Sequence, residues 1–225
     1  LSISDMALWD SSDDADVPFT TTLGAPNTLT LPADRKLVVW TSKEFEPNGN
    51  VTLSGGGAGA AYDGSLELYS GAVFDATGSE THSIGGSLIS GSGASIDDET
   101  STFIFTTTGS ARTVDTNEYS LYNATFNGSG SWTVTNTALE VGNDLTITQG
   151  GVTLPSGTTT VSGSLAVSNG TFNANGGGFL FNSSASETIN ASTSSFSRLT
   201  INGSGTFAFQ GSHATATGRT RIANG

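Results

Sequence analysis

The stretch LEVGNDLTITQGGVTLPSGTTTVSGSL, residues 139–165, is built from short apolar trios separated by Gly, Ser, Thr, Asn and Pro. The trios begin six or seven residues apart, at Leu139, Leu145, Val152 and Thr159. Each shows the in-out-in alternation of a short strand, because successive side chains on an extended backbone point to opposite faces. The GND, TQG, PSG and SG segments between them carry the residue types that sharp corners require. Three strands and three corners in about 20 residues make one coil of a three-sided solenoid.

Outward from this stretch the period persists. Leu121, Val141, Val161, Phe181 and Ile201 are each 20 residues apart, as are Trp132, Val152 and Phe172, and Leu145 and Leu165. A lone trio cannot bury its apolar side chains, but stacked coils bury each column on itself and hydrogen-bond each strand to its equivalent about 4.8 Å away. The expected fold is therefore all-β, a right-handed parallel β-helix without significant helix, of about ten coils and about 50 Å at that spacing.

Composition agrees with a folded, β-rich chain. The 225 residues include 30 Gly, no Cys, 7 Lys+Arg and 20 Asp+Glu, for a formal net charge of −13. Residues 1–100 hold 15 acids and 3 bases, a net of −12; residues 101–225 hold 5 acids and 4 bases, a net of −1. Phosphate binding needs clustered Lys and Arg, so a nucleic-acid partner is not expected. No apolar run reaches the length of a membrane span, and no basic-plus-apolar leader opens the chain. The Cys-free, Lys-poor, Ser/Thr/Gly-rich composition points to an extracellular or cell-surface location.

A longer period, between three and four coils, overlies the shorter one. FTTTLGAPNTL at 19–29, FTTTGSARTV at 105–114 and FNSSASETI at 181–189 share a Phe, a polar run and a Thr-aliphatic pair. FNGSGSW at 126–132 matches INGSGTF at 201–207, and GSL at 86–88 matches GSL at 163–165. LSI at 1–3, LEL at 66–68, LTI at 145–147 and TRI at 220–222 take equivalent places in the repeat. Residues 1–225 thus read as one solenoid domain of three copies, approximately 1–65, 66–144 and 145–219, with the start of a fourth. KEFEP and DSSDDAD break the pattern within residues 1–60, where an insertion or an altered first coil is expected.

These units resemble the β-strand repeats of very large bacterial surface and secreted proteins. The resemblance implies a right-handed parallel β-helix serving as a non-enzymatic segment of an extracellular or cell-surface fibre, stalk or adhesin. TRIANG at 220–225 ends in the phase where LTITQG is followed by GVTL, and LSISD opens in that same phase. End-to-end self-association, or continuation in a longer chain, is expected from this. A carbohydrate-binding or carbohydrate-processing β-helix is the alternative, marked by an aromatic and carboxylate row on one outward face and bringing surface glycans in as partners. A viral tail fibre is a second alternative.

Candidate sites are sparse. WDSSDDADV places Asp10, Asp13, Asp14 and Asp16 within seven positions, hard oxygen ligands suited to calcium, although the spacing lacks the Gly and distal Glu of a helix-loop-helix calcium loop. No other cofactor is expected. From residue 101 the acids are Asp115, Glu118, Glu140, Asp144 and Glu187; no two are one coil apart, which argues against a catalytic pair. His82 and His213 lack ligand-spaced neighbours and read as surface or corner residues. Trp132 falls on an inward column, whereas for Trp9 and Trp40 the pattern leaves both core packing and stacking on sugars open. An ice-binding ladder of outward Thr pairs fails: Thr133 and Thr135 lead to Thr153 and Pro155, and Thr146 and Thr148 lead to Ala166 and Ser168. Seven Asn-x-Ser/Thr sequons, at Asn50, Asn123, Asn127, Asn169, Asn182, Asn190 and Asn202, are close to what such a composition generates by chance.

Overall fold

The structure, a computed structural model, describes residues 15–17 and 21–22 as backbone and residues 28–31, 33, 35–55, 64–211 and 215–223 in full. Inward residues of successive trios stack into three ladders, all of them parallel. The chain is all-β, with about 9 coils of ~21 residues. At about 4.8 Å per coil the described stack is about 40 Å long.

The first face runs through Leu37–Val39, Leu66–Leu68, Leu88–Ser90 and Arg112–Val114. The second holds Glu44–Glu46, Val73–Asp75 and Ser95–Asp97 in one sheet. Leu139–Val141, Thr158–Val161, Gly178–Phe181, Arg198–Ile201 and Thr220–Ile222 form another sheet further along that face. The third face includes Leu29–Leu31, Val51–Leu53, Thr81–Ile84, Thr102–Phe105 and Leu165–Val167.

Each column read from the short period is a ladder row. Leu121 pairs with Val141, Val141 with Val161, Val161 with Phe181 and Phe181 with Ile201. Trp132 pairs with Val152 and Val152 with Phe172, and Leu145 with Leu165. All of these side chains are buried in one continuous core. Aromatic rings extend it between coils: Phe105 stacks on Phe126 at 4.8 Å, and Phe126 meets the Trp132 ring edge-on at 5.2 Å. Each such residue withdrawn from water contributes about 1.5–3 kcal/mol. Both neighbouring coils are needed to complete that burial.

Three features differ from the sequence reading. In the middle coils the corner between the third and first faces is not a break. Asn123–Val134 and Leu145–Thr153 each run continuously from one face to the next, bending at irregularities after Phe126 and Asn127. Glycine permits this bend, since a Cβ on Gly128 would lie 2.1 Å from the Thr107 carbonyl oxygen and one on Gly130 would lie 1.9 Å from that of Gly109.

Coil length also varies. Val51 is the ladder neighbour of His82, and His82 of Phe103, yet the first of these steps along the chain is half as long again as the second. On the first face Leu37 pairs with Leu66, so the excess falls between Leu53 and Leu66.

Finally, trios equivalent in the longer repeat do not stack on one another. LEL at 66–68 lies on the first face, LTI at 145–147 on the third and TRI at 220–222 on the second. Leu88 and Leu165 shift likewise from first to third, and Phe105 and Phe181 from third to second. With coils of ~21 residues, the steps from Leu66 to Leu145 and from Leu145 to Thr220 each amount to about three and two-thirds coils. Successive copies are thus related by a turn of one face, and the sequence similarity winds around the solenoid instead of running along a side.

Candidate functional site

Charge is sorted along the second face. Phe45, Phe74 and Ile96 point inward and are buried, which turns their neighbours outward: Glu44 and Glu46 in the first strand, Asp75 in the next, Asp97 in the third. Asp75 and Asp97 are register partners. Burial first, and then the negative charges of Asp97, Glu44, Glu46 and Glu99, push the Asp75 carboxyl above its ordinary range. At the following corner Asp98 is raised to about 6, chiefly by burial, against the stabilising backbone amides. Beside this row an exposed aromatic pair crosses two coils: Trp40 and Tyr69 have ring centroids 6.5 Å apart and planes inclined by 31°.

The other end of the same face is basic. Leu199 and Ile201 are buried, so Arg198 and Thr200 face out, and register places Thr200 beside Arg221 on the adjacent strand. Thr158, Gly178, Leu180, Arg198, Thr200, Asn202 and Arg221 line a groove of ≈ 340 Å³, floored in part by Phe179. Gly178 is the register partner of Arg198, and the Arg198 side chain lies over it: Nε is 3.7 Å from where a Cβ would stand. Neither Arg198 nor Arg221 has a hydrogen-bond or ion-pair partner among the described residues, whereas Lys36 pairs with Glu67 at 3.1 Å. The nearest acid along the Arg221 row is Glu140, four strands away through Thr160, Leu180 and Thr200, or about 19 Å.

Sequence-predicted residues fall in varied places. Asp10, Asp13 and Asp14 lie outside the described residues, as does the side chain of Asp16, whose backbone pairs with Val38. Among the described residues no three His, Asp or Glu side chains come together as metal ligands. Glu118 sits at a corner with φ of 67°, and accepts from the Thr137 and Ala138 amides at 2.6 and 3.1 Å. Burial raises its carboxyl, but those hydrogen bonds outweigh burial and hold it below its usual value. It serves to clip two coils together.

Trp132 is core, 1% exposed. His82 is also core, not surface: it is 1% exposed, between Phe74 and Phe103 at ring distances of 5.0 and 5.1 Å. It shares the inward side with Ile84 two residues on, a signal present in the sequence. His213 lies outside the described residues. The outward Thr row behaves as expected toward the C-terminus, where Thr146 pairs with Ala166. In the other direction Thr146 pairs with Thr125, but the row then passes through Ile104 and Ser83 before it reaches Thr52 and Thr30, so no continuous Thr ladder forms there either.

The arginine groove has no counterpart in the sequence reading, because its lining residues are spread from Thr158 to Arg221 and meet only through the stacking of four strands. Geometry defines the chain as a parallel β-solenoid repeat protein with a charge-sorted face. No family model, no curated protein and no solved structure matches it.

Proposed function

We propose that the chain is a non-enzymatic structural segment of an extracellular or cell-surface fibre, stalk or adhesin, whose working form is a longer stack of coils. One observation carries this reading. Ile222 stands on the core column above Ile201, and Phe209 on the column above Ile189. Ile201 and Ile189 are 7% and 0% exposed, but Ile222 and Phe209 are 71% and 49% exposed. A further coil stacked on this end, as a second copy would supply, would cover both and pair with the open side of Thr220–Ile222. Asp97 and Arg198 lie five coils apart on their face, about 24 Å, so the acidic row and the arginines form two separate patches.

Electron microscopy and light scattering of the intact material test the reading. Rods much longer than about 40 Å, shortened or dispersed by Ile222→Asp, are expected. A uniform population of single short rods indifferent to that substitution would overturn it.

A further inference from the structure

We infer that the groove between Arg198 and Arg221 binds an acidic polysaccharide laid along the solenoid axis, with a carboxylate or sulfate seated between the two guanidinium groups. Its shape argues for a polymer over a lone ion. The lining comes from four successive strands, Thr158–Val161, Gly178–Phe181, Arg198–Ile201 and Thr220–Ile222, so it extends about 14 Å along the axis. A single oxyanion would occupy one rung of it. The volume of ≈ 340 Å³ is at the small end of ligand clefts, enough for part of a chain to settle with the remainder in solvent.

The chemistry argues for an acidic sugar. In a chain with 20 acids and 7 bases, two arginines project from adjacent strands without a carboxylate partner among the described residues. Guanidinium groups present planar donor pairs that match carboxylate and sulfate oxygens. Around them stand Thr158 and Thr200 hydroxyls and the Asn202 amide, groups that both donate and accept, as sugar hydroxyls do. Leu180 and Gly178 give the floor an apolar, shallow stretch on which the C–H face of a sugar ring can rest. The Arg198 side chain lies along Gly178, its Nε 3.7 Å and its Nη2 3.8 Å from where a Cβ would stand, so the guanidinium stays close to the sheet. This inference does not depend on the fibre reading, since a single coil stack would bind as well as a filament.

The test is binding of polygalacturonate, heparin and neutral dextran to the full chain, by affinity electrophoresis and calorimetry, at low and high salt. Arg198→Gln, Arg221→Gln and the double variant are compared with Glu140→Gln, and melting curves check that each remains folded. Binding of polygalacturonate or heparin, weakened about tenfold or more by each arginine substitution and by salt, is expected, with dextran unbound and Glu140→Gln unchanged. Preference between the two polymers tells carboxylate from sulfate. Three results would each overturn the inference: no binding of either acidic polymer, binding that survives the double variant, or loss on that variant of self-association with no polysaccharide bound. In the last case the arginines meet the acidic row of a second copy.

Discussion

Replacing His82 with leucine should make the fold less sensitive to acid. The imidazole is sealed among Phe74 and Phe103, and neither ring nitrogen has a hydrogen-bond partner. Burial lowers its pKa from 6.5 to about 4, with Glu80 acting weakly the other way. Because the folded value lies below the unfolded one, the unfolded chain takes up the proton first. Stability is therefore complete above about pH 6.5 and is lost as pH falls through about 4. A gap of about 2.5 units corresponds to about 3 kcal/mol.

Asp75 and Asp98 act in the opposite sense. Their raised values mean that the folded chain binds those protons first, so acidification favours the fold. The wild-type profile is thus a partial cancellation, and the difference between wild type and His82→Leu isolates the imidazole. At pH 7 the exchange should be near neutral, since leucine gives up ring contacts but removes an unpartnered donor and acceptor. Urea unfolding followed by far-UV circular dichroism, repeated down to about pH 4, should show the variant gaining about 3 kcal/mol on wild type. Stability curves that stay parallel over that range would refute the reasoning.

Val161 is fully buried between Val141 and Phe181, so Val161→Asp should cost about 4 kcal/mol or more. The outward Thr160→Asp should cost less than about 1 kcal/mol, and equal shifts in thermal melts would contradict the register. Gly205→Ala would bring a Cβ to 1.8 Å from the Ala185 carbonyl oxygen, so the coils must part locally, at about 2 kcal/mol. Gly176→Ala, where φ is 76° and nothing stands within 4 Å, should cost about 1 kcal/mol, and a larger loss there than at Gly205 would show that close coil approach is not what selects glycine.

Much of this molecule is legible in the sequence alone. Leu121, Val141, Val161, Phe181 and Ile201 can be put in one column because strand alternation is a local property: it depends on two neighbouring residues and the backbone between them. Trp132 is placed inside by the same rule. His82 is misplaced when its polarity is weighed above its phase, although Ile84 marks its side of the strand. The continuous strand Leu145–Thr153 escapes notice because Thr148-Gln149-Gly150 reads as a corner, and here Gly150 instead lets two coils approach.

Alternation therefore determines which side chains are inside, and corner composition determines how often the chain turns. Which outward residues share a face is a different quantity, the running sum of coil lengths, and a single long coil changes the spacing between every residue before it and every residue after it. The step from Val51 to its partner His82 is about half as long again as the step from Leu145 to Leu165. Only the stacked structure carries that sum, which is why it alone brings Arg198 and Arg221 to one groove, sets the acidic row at the far end of their face, and turns each sequence copy onto a new side.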